Sequence, residues 1–201
     1  MSARFIRCAA VLGLLLAATP PAALAQAGAT PGNPKAPPAS KSTYSDDEVV
    51  REANQFFATG ARELGEVLQR VMKERGQPVA IIRGEEVGGA IGVGVRYGQG
   101  EISTKGGAGL KVYWQGPSIG FDVGANAVKV FALVYDLPNQ DDLFRRFPGV
   151  DGSLYFVGGF GVNYVQRDQT VIAPVRFGIG WRQGINLGYM NFSRERRLVP
   201  L

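Results

Sequence analysis

Apolar residues recur at spacings of three and four from Val49 to Val71: Val49, Ala53, Phe56, Phe57, Ala61, Leu64, Leu68 and Val71. Such a stripe marks an amphipathic helix. Ahead of it, Ser45-Asp46-Asp47-Glu48 is a capping box. The serine hydroxyl can accept from the glutamate amide, and the glutamate can reach back to the serine amide. Thr59-Gly60 interrupts the stripe, so the pattern predicts two helices or one kinked helix, with Thr59 as a cap for the second. Gly76 and Pro78 end the segment. Phe56 and Phe57 are expected to pack on the protein's own sheet, because an amphipathic helix usually faces its own core.

From Val79 the period changes to two. Ile91, Val93, Val95 and Tyr97 alternate with Gly92, Gly94 and Arg96; Val175, Phe177, Ile179 and Trp181 alternate with Arg176, Gly178, Gly180 and Arg182. Phe121 and Val123 alternate with Gly120, Asp122 and Gly124, and Ile185, Leu187 and Tyr189 with Asn186 and Gly188. These are half-buried antiparallel strands. Turns are expected at Gln99-Gly100, Gly106-Gly107, Gln115-Gly116-Pro117, Gly124-Ala125-Asn126, Asp151-Gly152, Arg167-Asp168 and Gln183-Gly184. Glycine inside a strand is costly unless it permits a bend or a close approach, and small coiled barrels need both. The expected fold is therefore mainly β (α+β): a small glycine-rich antiparallel β-barrel of about eight strands, packed with one or two N-terminal helices. The helices supply the second cover for segments that are apolar on both faces, 130–135 and 154–157. Asn139 is expected to cap a short inserted helix, with Asp141 and Asp142 in its first turn, Arg145 and Arg146 in its last, and Pro148 ending it. An anion-binding role for the two arginines is the alternative.

The beginning of the chain carries a different signal. Arg4 and Arg7 precede an apolar run over Ala9–Ala18, and Ala23-Leu24-Ala25 supplies the small residues of a cleavage site before Gln26. Residues 1–25 thus read as a cleavable secretory signal peptide, with a core too short for the roughly 20 residues of a spanning helix. Residues 26–43, rich in Pro, Ala, Gly and Ser, read as a flexible linker. Residues 44–201 are left as a single domain.

Cleavage changes the chemistry available. Cys8, the one cysteine, leaves with the leader, so no disulfide or thiolate ligand remains. Arg4 and Arg7 leave too, so 20 of the 22 basic residues face 17 acidic ones. That balance is too mild to argue for nucleic acid. The chain has no histidine, which removes Ser-His-Asp triads and histidine metal sites. No catalytic residue, metal site or cofactor is expected. Gly92-Val93-Gly94 and Gly158-Gly159-Phe160-Gly161 lie in strand patterns without a following helix, so they are not phosphate loops.

A few residues remain as candidates. Glu85-Glu86 could serve a two-carboxylate glycosidase mechanism, but beside Arg83-Gly84 the pair reads as a solvated turn. Arg96, Asp122, Arg176 and Arg182 share the glycine-bearing faces of their strands. Polar-out alternation is the default and makes those faces solvated; the alternative has them line a concave cavity and orient a polar head group. Trp114, beside an expected turn, either stacks on a sugar ring or sits near lipid or, as aromatics more often do, plugs the end of a small barrel. Arg96, Trp114, Asp122, Arg176 and Arg182 are therefore the candidate ligand-binding residues.

Several strings together resemble the EipA-type envelope-integrity family of Gram-negative bacteria. They are Thr43-Tyr44-Ser45 before Glu48, Phe56-Phe57, Gly84-Glu85-Glu86, Arg96-Tyr97-Gly98 and Leu133-Val134-Tyr135. Tyr113-Trp114-Gln115-Gly116-Pro117-Ser118 is the most specific, and Gly149-Val150, Ala173-Pro174 and Leu187-Gly188-Tyr189 continue the match. The resemblance implies a secreted periplasmic β-barrel needed for envelope integrity, with no known catalytic residue or cofactor. The helix-then-barrel layout is also distantly similar to SYLF lipid-binding domains, an analogy of fold alone.

The expectation is a non-enzymatic periplasmic protein whose partner is an envelope lipid or glycan, with peripheral membrane association allowed and no nucleic acid. The alternatives are a carboxylate enzyme using Glu85 or Asp122, and an integral outer-membrane barrel. The capped helices and the absence of aromatic girdles count against the latter.

Overall fold

The computed structural model of the chain describes residues 42–122, 127–178 and 188–197, with side chains described except at 89–93 and 118–122. Helix α1 spans Asp46–Phe57 and α2 spans Arg62–Arg75. Among the described residues nine strands follow: β1 Ala80–Thr104, β2 Leu110–Asp122, β3 Val128–Tyr135, β4 Arg146–Pro148, β5 Tyr155–Val157, β6 Phe160–Val162, β7 Val165–Arg167, β8 Thr170–Phe177 and β9 Tyr189–Ser193.

The capping box forms as its residues require. Glu48 N donates to Ser45 Oγ at 3.4 Å, and Ser45 N donates to Glu48 Oε2 at 2.8 Å. Helix α1 ends where Ala58 turns left-handed, at φ 54°. The expected break at Thr59-Gly60 is present, but Thr59 is not the cap of α2. Ala61 holds that position without a side-chain bond, while Thr59 Oγ1 accepts from Ala61 N at 3.2 Å.

All nine strands join one sheet in the order β4-β9-β2-β1-β3-β8-β6-β5, with β7 also paired to β8. Each pairing is antiparallel. The sheet curls into a glycine-rich barrel, and an antiparallel bridge from Gly149 to Val165 ties the segment after β4 to β7. Period-two alternation divides its side chains between two cores. Ile81, Phe131, Leu133, Val162 and Val175 face α1 and α2. Ile82, Ile102, Val112, Val130 and Phe147 fill the enclosed side. Phe56 and Phe57 lie on the helix-facing core, with ring centroids 6.0 Å from Phe131 and 5.4 Å from Phe160 respectively.

The longest strand, β1, has two arms. Residues 80–86 pair with β3 and residues 90–102 with β2. The arms approach so closely that a Cβ on Gly84 would collide with the Gln99 carbonyl, and one on Gly100 with the Arg83 carbonyl. This corrects two expected turns. Gln99-Gly100 lies inside β1 because its glycine permits the arms to touch. Gln115-Gly116-Pro117 lies inside β2, with Pro117 opposite Val95. Turns do fall at Gly106-Gly107, Asp151-Gly152 and Arg167-Asp168, where Gly106, Gly152 and Asp168 have positive φ. The expected turns at 124–126 and 183–184 lie outside the described residues.

The insertion after β3 is one 3-10 turn, Gln140–Leu143, rather than a helix reaching Arg146. Asn139 precedes it without capping it; its side chain donates to Asp142 Oδ2 at 3.2 Å. Arg145 and Arg146 lie beyond the turn, so a helix dipole does not account for them. Arg145 pairs with Asp142 at 2.8 Å, and Arg146 stacks 4.3 Å over the Tyr189 ring. No helix among the described residues is long and apolar enough to cross a membrane.

Candidate functional site: a buried charge cluster

Alternation along the first arm of β1 puts Ile82, Gly84 and Glu86 on the enclosed face and Glu85 on the other. Glu85 is exposed, whereas Glu86 is 5% exposed. The expected solvated turn is thus corrected: both glutamates belong to a strand, and one of them faces inward. Three other chains of alternation deliver its partners. Arg96 comes from the second arm of β1, Trp114 from β2 and Arg176 from β8.

Arg176 is fully buried. Its Nε donates to Glu86 Oε1 and its Nη2 to Glu86 Oε2, both at 3.2 Å. The third nitrogen, Nη1, donates to Asn163 Oδ1 at 2.9 Å, and Met190 Sδ lies 3.5 Å from Nη2. The Trp114 indole donates to Glu86 Oε2 at 2.9 Å. Arg96 Nε stands 3.9 Å from the same oxygen. Trp114 lies against Gly98, its register partner; a Cβ there would occupy the space of the indole.

Burial opposes ionisation of Glu86, and it is the largest influence on the group. The charges of Arg176 and Arg96, with the hydrogen bonds from Arg176 and Trp114, outweigh it and hold the carboxyl below its ordinary range. Burial also lowers Arg96, to about 10, against the attraction of Glu86. A carboxylate held ionised in this way is a poor general acid. Its lone pairs already accept from two side chains, and little of it meets solvent, so it is poorly placed as a base as well.

The five candidate ligand-binding residues separate accordingly. Arg96, Trp114 and Arg176 meet on one carboxylate. The side chain of Asp122 and all of Arg182 lie outside the described residues. The outward, solvated reading of the glycine faces is overturned for Arg96 and Arg176, which are 6% and 0% exposed. Trp114, at 2%, is packed inside rather than presented to solvent, and it sits mid-strand instead of at the barrel's end. Glu86, Asn163 and Met190 are participants that sequence reasoning missed. Glu86 does share the face of Ala80 and Ile82, but Ile81 on the other face is equally buried, so the pattern alone does not single out the enclosed face. Among the described residues, no group of three acidic, histidine or cysteine side chains is placed to hold a metal ion.

The model of a family described as "Envelope integrity protein A" matches residues 42–201. A crystal structure of a beta-barrel-like, uncharacterised protein from Brucella abortus is 37% identical in sequence, with a TM-score of 0.73. The match covers 79% of this chain and 99% of that one. No curated protein matches.

Proposed function

The chain belongs to the envelope integrity protein A family, and from that membership we propose that it is exported to the periplasm. There it supports the cell envelope as a non-enzymatic barrel that binds an envelope lipid or glycan. Export is supported by Arg4, Arg7, the apolar run Ala9–Ala18 and the Ala23-Leu24-Ala25 cleavage signature. The observation that carries the non-enzymatic part is the cluster on Glu86. The inward acidic side chain best placed for chemistry is engaged by Arg176 and Trp114 and is nearly removed from solvent. Such a cluster fixes how the arms of β1, β2 and β8 sit against one another; it does not present a reactive group.

The test is a deletion strain challenged with detergent and with an outer-membrane-disrupting chelator, then complemented with the full-length gene or with one lacking residues 1–25. The full-length gene restores survival, the protein is recovered in osmotic-shock fluid, and its N-terminus is Gln26. Equal rescue by the leaderless gene, or unimpaired survival of the deletion strain, contradicts the proposal.

A further inference from the structure

A groove of about 110 Å³ opens on the surface beside the second arm of β1. Tyr97 and Gln99 line it from β1, Tyr113 and Gln115 from β2, and Arg196 and Arg197 from the segment after β9. Register places Tyr97 opposite Gln115 and Gln99 opposite Tyr113, so rings and amides alternate across the two strands. Glu85 lies at the rim, and Ser193, 7% exposed, is among the deeper residues.

From this lining we infer that the groove binds one ring of an acidic saccharide, an assignment that rests on the proposed envelope role. Three physical features point to that class. Tyrosine offers an apolar ring with a polar tip, suited to a ligand with both a C–H face and hydroxyls. Exposed Gln99 offers a donor and an acceptor, and exposed Glu85 an acceptor, for such hydroxyls. Arg196 and Arg197 are exposed cations whose planar forks match a carboxylate or phosphate. Whole-ligand pockets usually occupy about 300–1,000 Å³, so this smaller groove seats a single ring and leaves the rest of a chain in solvent. An acyl chain is a poor fit to a site of this volume that carries two arginines and a glutamate.

The acidic ring can belong to a free glycan or to a glycolipid head group, and titration distinguishes them. The exported protein, labelled with 15N, is titrated with hexagalacturonate, with neutral maltohexaose and with phosphatidylcholine vesicles containing a glucuronosyl glycolipid. Hexagalacturonate is expected to shift the amides of Tyr97, Gln99, Tyr113 and Gln115 saturably, with maltohexaose roughly tenfold weaker for loss of one good charged contact. Binding to the vesicles that hexagalacturonate displaces assigns the glycolipid source; binding of the soluble hexamer alone assigns the free glycan. Arg196→Gln with Arg197→Gln, both at exposed positions, removes the preference for acid, and Tyr113→Ala weakens both sugars. No shift, equal response to the two hexamers, or shifts centred on the separate Arg145–Arg167 groove overturns the assignment. Deletion-strain survival separates the two readings. If the double arginine variant loses binding yet rescues fully, the groove has no envelope role while the proposed function stands. If deletion leaves survival intact, the envelope reading fails whatever the groove binds.

Discussion

Arg176 and Glu86, 90 positions apart, share two hydrogen bonds of 3.2 Å inside the barrel. The pair joins β8 to the first arm of β1, with β3 lying between them in the sheet. Losing one member strands the rest. Glu86→Gln removes the carboxylate on which Arg96 and Arg176 converge, and breaking a buried pair from one side costs about 3–5 kcal/mol. Glu85→Gln, one residue away but exposed, is expected to stay within about 0.5 kcal/mol of wild type. Urea unfolding of the two variants checks the contrast.

Trp114→Phe keeps most of the packing and deletes the donor to Glu86 Oε2. Leaving a buried acceptor short of a partner costs about 1–3 kcal/mol. Because both substitutions act on one carboxylate, a double-mutant cycle with Glu86→Gln should show strong non-additivity. Additive effects in denaturant melts would mean that the indole and the carboxylate do not communicate.

The glycines divide into two kinds. A Cβ on Gly98 would enter the Trp114 indole, so Gly98→Ala is expected to destabilise by about 1–3 kcal/mol through overpacking. Gly65 lies within α2 with nothing within 4 Å of its would-be Cβ. Gly65→Ala should therefore stabilise by roughly 0.5–1 kcal/mol through helix propensity. Thermal melts of the two alanine variants should move in opposite directions.

Acid should weaken the fold through three glutamates, one of them Glu74, which the hydrogen bond from Tyr164 holds below its ordinary range. Lys105, together with the capping bonds to Ser45, holds Glu48 down at about 2 against an ordinary 4.5. Glu86 is also depressed. A carboxyl whose folded pKa is lowered stabilises the protein fully above its unfolded pKa and loses that contribution as pH falls through the folded one. Melting temperature should fall as pH drops from 4.5 toward 2. Glu48→Gln should make that decline shallower, as a pH series of melts will report. Ser45→Ala, which removes the other half of the capping box, should cost about 1 kcal/mol.

Much of this was legible along the chain because it depends on local rules. The Ser45–Glu48 box, the helix break at Thr59-Gly60 and the turns at Gly106, Gly152 and Asp168 each follow from residues within one turn of each other. The failures share one cause. Period two shows that Arg96 and Arg176 lie opposite their strands' apolar positions, yet it does not say which face of a curled sheet is enclosed. Gly100 and Gly116 look like turn residues until the partner strands are known; at Gly100 the reason for glycine is a backbone at 83–84, distant in sequence. Glu86 was hidden by its exposed neighbour Glu85, and because Ile81 is as buried as Ala80 and Ile82, the start of β1 is apolar on both faces and marks neither as the inner one.

In the proposed function the Glu86 carboxylate is structural. The most direct test of that role is survival of the deletion strain carrying Glu86→Gln, grown cool and matched to wild type for soluble, folded protein. A structural carboxylate predicts wild-type survival under detergent stress at matched folded level. A folded, level-matched variant that survives no better than the deletion strain would show that the carboxylate performs chemistry, because loss of a general acid or base reduces rate by about 10²–10⁴.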